Sequence, residues 1–355
     1  MSVDGVQSAE PGGRHETDAV IIGAGPCGLF AVFELGLLGI KSHVIDIQDK
    51  PGGQCAELYP EKPILDIPGI PVITGADLTA RLLEQIAPFG AVFHLNEMAD
   101  SLEKTESGWR IATDLGTVIE AKAIIVAAGG GSFTPKKPPI PGIEAFEGKS
   151  VFYAVRKRDA FAGKKLVIAG GGDSALDWTI NLEPVAEHVT LIHRRDEFRG
   201  APESVARMRA LADAGKIDLK IAQIKGLEGD DGAISGVAIE DTQGGAGIIG
   251  CERLLAFYGL TMKLGPIAGF GLNLNENRIA VDTEKFESST PGIFCIGDMA
   301  SYPGKLKLIL SGFHESALMS HGAFHYVFPD RKLKFQHTTS ARELQRTVTG
   351  TTPAD

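Results

Sequence analysis

Residues 18–46 read D-A-V-I-I-G-A-G-P-C-G-L-F-A-V-F-E-L-G-L-L-G-I-K-S-H-V-I-D, and this stretch decides the fold. The apolar run that follows Asp18 predicts a buried parallel strand. A glycine-rich turn comes next, and a helical pattern then continues to Leu38. A second strand is predicted over 43–47. The stretch therefore predicts a strand–helix–strand unit, the element from which parallel sheets are built.

The turn carries the pattern Gly23-x-Gly25-x-x-Gly28, and Asp46 lies at the end of the second strand. In this context the first glycine permits a tight turn, and the second lets the backbone approach a pyrophosphate at the helix N-terminus. The third glycine allows the helix to pack closely on the strand. An acidic residue at the end of the next strand can accept hydrogen bonds from a ribose. The pattern predicts a dinucleotide site, and a tight turn in another α/β fold is the alternative.

A second strand, turn and helix begin at Lys165 and predict a second dinucleotide site. The residues of its turn and helix start are Gly170, Gly172, Asp173, Ser174 and Ala175. The strand that follows ends in basic rather than acidic residues, namely His193, Arg194, Arg195 and Arg199. Guanidinium groups match the geometry of phosphate, so this ending favours the 2′-phosphate of NADP(H). A solvated basic turn is the alternative.

Two further strand ends favour FAD over NAD at the first site. The stretch I-F-C-I-G-D ends at Gly297 and Asp298, and I-I-V-A-A-G ends at Gly129. An aspartate at the end of such a strand can bind a hydroxyl of the flavin ribityl chain. Ordinary core strands are the alternative.

Composition and charge narrow the function classes. The 355 residues carry 35 basic and 45 acidic side chains, a net charge of −10. This balance argues against general binding to nucleic acid or to an anionic membrane. The apolar run 20–40 contains Glu34, Pro26 and several glycines, so we do not interpret it as a membrane span or secretory signal. The four cysteines lack metal-site spacing, which predicts a reduced, cytoplasmic protein and no metal site.

The predicted fold class is α/β, with two Rossmann-like, three-layer dinucleotide-binding domains of which the second is inserted into the first. The expected segments are a disordered N-terminus over 1–16, an FAD-binding domain over 17–135 and 263–330, an NADP-binding domain over 136–262 and a C-terminal extension over 331–355.

The motifs resemble those of the two-dinucleotide flavoprotein family that includes thioredoxin reductase, over roughly residues 17–330. The matching stretches are G-A-G-P-C-G, P-G-G-Q, A-A-G-G, G-G-G-D-S-A-L-D, H-R-R-D-E-F-R and I-G-D. In that family the outer thirds of the chain bind FAD and the middle third binds NADPH. The resemblance thus supports the predicted insertion.

The chain departs from this family at the cysteines that reduce disulfides. Ala154 and Lys157 occupy the two positions of the thioredoxin-reductase C-x-x-C. Cys55 follows a G-G-Q, as in the relatives that resemble glutathione reductase, but Pro60 stands where its partner would be. The departure favours a resemblance to ferredoxin–NADP reductase of the thioredoxin-reductase-like type. Three stretches support it, namely G-G-Q-C-A-E-L-Y-P-E-K, G-F-H-E-S-A-L-M-S-H and the tail Q-H-T-T-S over 336–340.

This resemblance implies an enzyme that passes a hydride from NADPH to the flavin and then single electrons to ferredoxin or flavodoxin, with no catalytic residue beyond the flavin. It implies FAD contacts beyond the glycines at Cys27, Asp46, Gln54, Tyr59, Phe133, Asp298, His337 and Ser340. It also implies a homodimer. An acidic carrier would dock on basic residues, for which the candidates are Lys136, Lys137, Arg156, Lys157 and Arg158. The alternatives are a disulfide reductase that lacks the usual dithiol and a non-catalytic NADP(H) sensor.

Overall fold

A computed structural model describes residues 6–333, apart from the side chains of Phe133 and Met262. The chain divides into two compact units. The first unit comprises Met1–Ser132 and Met262–Asp355, and the second comprises Phe133–Thr261. Each unit contains its own sheet and helices, and each is described separately below.

The helices within the described range are α1 (Pro26–Leu37), α2 (Gly53–Glu57), α3 (Gly75–Ile86), α4 (Asp173–Leu182), α5 (Pro202–Asp213) and α6 (Ile309–Val327). The strands that start before residue 133 are β1 (Gln7–Ser8), β2 (Arg14–Glu16), β3 (Ala19–Ile22), β4 (Ser42–Asp46), β5 (Pro63–Ile64), β6 (Ile73–Thr74), β7 (Val92–Leu95), β8 (Ala99–Lys104), β9 (Trp109–Thr113), β10 (Val118–Ala121), β11 (Ala123–Val126) and β12 (Ser132–Pro135). The later strands are β13 (Val151–Phe152), β14 (Lys165–Ala169), β15 (His188–His193), β16 (Asp218–Asp230), β17 (Ala233–Asp241), β18 (Ala246–Gly250), β19 (Arg253–Ala256), β20 (Leu260–Lys263), β21 (Leu274–Asn275), β22 (Arg278–Ala280), β23 (Ile293–Cys295) and β24 (Ala300–Ser301).

The central sheet of the first unit has the strand order β1-β7-β4-β3-β11-β23. Its strands pair in parallel, and β3 and β11 are buried along their whole length. Helices α3 and α6 both pack against α1, whose buried face is formed by Gly28, Leu29, Ala31, Val32 and Leu35. Parallel strands buried on both faces require such a continuous apolar sequence. Their carboxyl ends meet at one edge, where the turn after β3 and the end of β4 lie side by side.

A second, four-stranded sheet in the first unit has the order β2-β10-β9-β8 and corrects one expectation. Residues 1–16 are polar and glycine-rich, which predicts disorder, yet Arg14–Glu16 pairs in parallel with β10. Gln7–Ser8 likewise pairs with Val92 and Phe93 at the edge of the central sheet. Backbone hydrogen bonds at a sheet edge do not require apolar side chains, so the composition of this segment does not reveal them.

The seven-stranded sheet of the second unit has the order β13-β19-β14-β15-β16-β17-β18. Strands β13, β19, β14, β15 and the start of β16 are parallel, while β16, β17 and β18 form an antiparallel meander. Helix α4 follows β14, and β15 returns beside it in register. The carboxyl ends of β14, β15 and β19 therefore lie together, as ligand binding in an open parallel sheet requires.

Three histidines meet beside β4, the strand that ends at Asp46. The Nδ1 of His43 lies 2.9 Å from the Nε2 of His94, and the His15 ring centroid is 4.9 Å from that of His94. The fully buried Glu97 places its Oε1 3.8 Å from the Nδ1 of His94. Burial, together with the neighbouring imidazoles of His94 and His15, lowers the pKa of His43 to about 4.

The depressed pKa of His43 predicts an acid-sensitive fold. Between about pH 6.5 and pH 4, His43 binds a proton in the unfolded chain but not in the folded chain. The free energy of unfolding therefore falls as the pH is lowered through that interval. His43→Gln should reduce this fall, as measured from urea midpoints between pH 8 and pH 4.5. The exposed His325 on α6 provides the control. A pH dependence identical in wild type, His43→Gln and His325→Gln would contradict the assignment.

Candidate functional site

Two glycines of the first turn are required by the protein backbone itself. Gly23 has a φ of +111°, and a Cβ placed there would lie 2.5 Å from the carbonyl oxygen of Ala127. A Cβ at Gly28 would lie 1.9 Å from the carbonyl oxygen of Gly23. No side chain fits at either position without moving backbone, so these glycines set the close approach of α1 to β3 and β11.

Packing within the protein does not explain why the middle residue of the motif, Gly25, is a glycine. Gly25 is the N-cap of α1, with an ordinary φ of −70°, and a Cβ there would meet no atom of the described residues within 4 Å. The first N–H groups of a helix have no intrahelical partner and attract anions. Open space in front of these N–H groups fits a pyrophosphate, so the turn fits FAD.

Asp46 links the end of β4 to this turn. Its Oδ2 accepts a 2.6 Å hydrogen bond from the Ala24 N–H, and its Oδ1 accepts a 2.8 Å bond from the Gln48 N–H. Burial raises the pKa of Asp46, while the backbone donors oppose that rise. Each carboxylate oxygen has two lone pairs, so the side chain can orient the turn and still accept a ribose hydroxyl.

The residues predicted near the flavin meet at the same sheet edge. Tyr59 follows α2, and its hydroxyl oxygen accepts a 3.7 Å hydrogen bond from the Cys55 thiol. Burial raises the pKa of Tyr59, and the nearby Cys55, Asp298 and Cys27 raise it further. Gln54 lies on α2, directly before Cys55. Residues of α1, α2 and the turn after β23 are thus close enough to Tyr59 to affect its pKa.

Three of the predicted FAD contacts lie wholly or partly outside the described residues. Phe133 lies on β12, but its side chain is outside the described part of the structure, as are residues His337 and Ser340. Their roles remain predictions.

The second glycine turn repeats the geometry of the first. Gly170 has a φ of +152°, and a Cβ there would lie 2.6 Å from the carbonyl oxygen of Phe257. Ala175 is fully buried against this turn, while Asp173 and Ser174 are exposed at the start of α4. Gly172 is the N-cap of α4, has a φ of −102° and has no protein atom within 4 Å of a Cβ placed on it. This turn also leaves space for a phosphate at a helix N-terminus.

The basic loop after β15 is fastened to that second turn. The Arg199 N–H donates a 2.8 Å hydrogen bond to the Gly171 carbonyl, and the Ala201 N–H donates a 2.7 Å bond to the Asp173 Oδ1. His193 packs against Gly171, since a Cβ on that glycine would lie 2.3 Å from the imidazole Nε2. The hydrogen bonds fix the loop that carries the three arginines beside the phosphate turn.

The three arginines form a cationic surface at the end of β15. Burial lowers the pKa of His193, and the neighbouring Arg194, Arg195 and Arg199 lower it as well, which places three guanidinium groups near one imidazole. All three are exposed, and within residues 6–333 no carboxylate pairs with them. Arg209, by contrast, pairs with Asp196 at 2.9 Å. Unpaired guanidinium groups at this strand end fit a 2′-phosphate.

All four cysteines are free thiols, and each is held in a protonated state. Burial raises the pKa of Cys27 to about 12 and that of Cys55 to about 11. Burial also raises the pKa of Cys251 to about 12 and that of Cys295 well above its ordinary value. Since the thiolate is the reactive form, these environments do not favour thiol–disulfide exchange. Within the described residues, no group of three or more His, Cys, Asp or Glu side chains is arranged to hold a metal ion.

One residue of this site was not predicted from the sequence. Glu315 on α6 is fully buried, and its Oε2 accepts a 2.6 Å hydrogen bond from the N–H of Gly297, the residue before Asp298. The sequence feature that could have indicated Glu315 is its position as an acidic residue in the stretch G-F-H-E-S-A-L-M-S-H of a largely apolar helix.

Comparison with known proteins now identifies the family. The model of the pyridine nucleotide-disulphide oxidoreductase family matches residues 17–320. A ferredoxin–NADP reductase from Parvibaculum lavamentivorans is 62% identical over 331 residues, covering 93% of this chain and 96% of the relative. The chain belongs to the thioredoxin-reductase-like ferredoxin–NADP reductase family. A second relative with the same name, from a Bradyrhizobium species, is 60% identical over 332 residues, covering 93% of this chain and 97% of the relative.

Solved structures support the fold class. The thioredoxin reductase of Lactococcus lactis has a TM-score of 0.75 at 24% identity, covering 88% of this chain and 99% of that protein. The thioredoxin reductase of T. acidophilum has a TM-score of 0.74 at 25% identity, covering 87% of this chain and 98% of that protein. These findings confirm the predicted α/β fold with two Rossmann-like domains. Membership of the family also confirms FAD and NADP(H) as the cofactors and oxidoreductase as the class of enzyme. Within residues 6–333, no helix has the length and apolar character needed to cross a bilayer.

Proposed function

We propose that this protein is an FAD-dependent ferredoxin–NADP reductase that transfers electrons between NADPH and ferredoxin, or a flavodoxin of similar charge. The observation that carries the proposal is the combination of two glycine turns open to phosphate with four thiols of raised pKa, three of them buried and Cys27 half-buried. A disulfide reductase needs an attacking thiolate and a resolving partner. Neither is available in these surroundings, and electron transfer from the cofactor itself is the remaining chemistry.

The proposed roles follow the two units. The first unit would bind FAD through Gly23, Gly25, Cys27, Gly28, Asp46, Gln54, Tyr59, Asp298, His337 and Ser340, and Phe133, the first residue of the second unit, is also proposed as an FAD contact. The second would bind NADP(H) through Gly170, Gly172, Asp173, Ser174, Ala175, His193, Arg194, Arg195 and Arg199. The chemistry that bound FAD supplies is acceptance of a hydride from NADPH and release of single electrons. The residues of the chain bind and orient, and no side chain is assigned a proton transfer.

The partner surface is proposed from charge. Arg156 and Lys157 are exposed on the second unit, in the segment where thioredoxin reductases carry their dithiol, with Arg158 beside them. Lys136 is also exposed, whereas Lys137 pairs with Glu147 at 2.7 Å and contributes less net charge. An acidic electron carrier would be attracted to these residues. We further propose a cytoplasmic homodimer, for which the support is the family resemblance and the reduced cysteines.

The test compares electron acceptors with and without the cysteines. We expect the FAD-loaded protein and NADPH to reduce cytochrome c through ferredoxin, and to leave oxidised thioredoxin unreduced. The rate should fall as salt rises, because ionic screening acts over about 10 Å at 0.1 M. A Cys55→Ala/Cys251→Ala/Cys295→Ala variant retains one thiol, which cannot form an intramolecular disulfide, and should keep most of the ferredoxin activity.

Two outcomes would contradict the proposal. One is robust reduction of thioredoxin by wild type without any ferredoxin reduction. The other is loss of ferredoxin activity in the triple variant when its FAD content and its urea midpoint match those of wild type. A wild type that binds NADPH but turns over neither acceptor would favour the NADP(H) sensor.

A further inference from the structure

A buried ion pair lies directly behind the turn that carries Asp298. The side chains of Glu315 and Lys305 are 0% and 4% exposed, and the Lys305 ammonium donates to the Glu315 Oε1. The same oxygen accepts a 2.7 Å hydrogen bond from the Tyr302 hydroxyl. Glu315 therefore ties the loop after Asp298 to α6.

The other oxygen of Glu315 holds the turn itself. Gly297 begins a single 3-10 turn over Gly297–Met299, has a φ of +71° and donates its N–H to Glu315 Oε2 at 2.6 Å. A hydrogen bond to a charged acceptor is shorter and stronger than a neutral one. The geometry thus fixes the residue immediately before Asp298 through a charged, fully buried acceptor.

The network also contacts the first glycine motif. A Cβ on Gly312 would lie 2.1 Å from the Cys27 Sγ and 3.5 Å from the Cα of Gly297, so α6, α1 and this turn are in close contact. Asp298, Glu315 and Lys305 all act electrostatically on the Cys27 thiol. Lys305 thus supplies a buried positive charge beside the Glu315 carboxylate.

We propose that Glu315 and Lys305 are positioning residues that hold the Gly297–Asp298 turn in the conformation that binds FAD. This inference rests on the proposed FAD site in the first unit, and it does not depend on which electron acceptor the enzyme uses. Glu315 supplies the hydrogen-bond acceptor for the turn. Lys305 compensates the charge of that acceptor, because an isolated carboxylate would be costly at a fully buried position.

The first unit contains a matched control network. Glu287 accepts a 2.8 Å hydrogen bond from the Gly292 N–H, is bonded by the Tyr326 hydroxyl and pairs with Lys285. The chemistry is the same carboxylate, glycine N–H, tyrosine and lysine. Glu287 pins a different turn, before β23 rather than after it. Substitutions there disturb the unit without touching the residue next to Asp298.

The experiment measures FAD affinity by quenching of flavin fluorescence on titration of the apoprotein, together with urea midpoints of the same variants. Glu315→Gln leaves the buried Lys305 ammonium without its carboxylate next to the turn, and this uncompensated charge should weaken FAD binding by about 10- to 100-fold. The double variant Glu315→Gln/Lys305→Met keeps an acceptor for Gly297 and removes the unpaired charge. It should restore most of the affinity. Glu287→Gln should lower the urea midpoint with FAD affinity unchanged.

A double-mutant cycle with Asp298→Ala tests the positioning itself. If Glu315 acts through the turn, Glu315→Gln should have little further effect on FAD affinity once Asp298 is gone. Additive effects would overturn the inference, as would equal loss of affinity in Glu315→Gln and Glu287→Gln. Failure of ferredoxin reduction in a wild type that binds FAD tightly would refute the proposed acceptor and leave this inference standing.

Discussion

Gly25→Val should abolish FAD binding while the apoprotein stays folded, and Gly172→Val should abolish NADPH binding while FAD stays bound. At both positions the backbone is extended, with ψ values of 178° and −179°, and a Cβ meets no atom of the described residues within 4 Å. The protein alone therefore has room for a side chain at either position. A phosphate bound in front of the helix would compete with that side chain for the same space. Loss of two charged backbone hydrogen bonds corresponds to at least about 3 kcal/mol, or roughly a hundredfold in affinity.

The two variants serve as controls for one another. FAD content, flavin fluorescence and NADPH titration are measured on both, with urea midpoints of the apoproteins to follow folding. Gly269→Val gives a neutral comparison, since a Cβ there also meets no protein atom within 4 Å and the residue lies outside both turns. Gly28→Ala should instead lower the urea midpoint, because its Cβ would lie 1.9 Å from the Gly23 carbonyl oxygen. Near-normal FAD affinity in Gly25→Val would refute the assignment of the first turn.

The elements that carry local patterns were predictable from the sequence. The helix predicted to continue to Leu38 ends at Leu37, and the strand predicted over 43–47 is Ser42–Asp46. Hydrophobic periodicity and the glycine spacing fix such units because their interactions lie within one strand–helix–strand segment. The family resemblance followed from the same short motifs.

The contacts that complete the site could not be predicted in this way. The Arg199 N–H bonds to the carbonyl of Gly171, and Glu315 bonds to Gly297, so each joins residues distant in sequence. No periodicity encodes such a pairing, because it arises only when the packed elements bring the groups together. The same holds for Arg14–Glu16, whose strand is defined by backbone bonds to β10. Sequence motifs thus predicted the two glycine turns, while the structure shows what holds them in place.

Arg194→Ala and Arg195→Ala should each remove most of the preference for NADPH over NADH. Both guanidinium groups lie beside His193 at the end of β15 and, within the described residues, have no carboxylate partner. A 2′-phosphate would provide that missing charge, and a charge-assisted hydrogen bond contributes about 1.5–3 kcal/mol. We therefore expect the KM for NADPH to rise by about 10- to 150-fold, with the KM for NADH nearly unchanged.

Substitution of the neighbouring Arg209 is the control that distinguishes loss of a phosphate-binding charge from disturbance of the loop. Its guanidinium pairs with Asp196 and lies 5.5 Å from the centroid of the Phe198 ring, so it supports the same loop with its charge already paired. Arg209→Ala should change the KM values for NADPH and NADH by the same factor. The steady-state measurement is made with both nucleotides on all three variants at one ionic strength, because screening weakens charge effects. If Arg194→Ala and Arg195→Ala also shift both nucleotides equally, the arginines support the loop and do not read the 2′-phosphate.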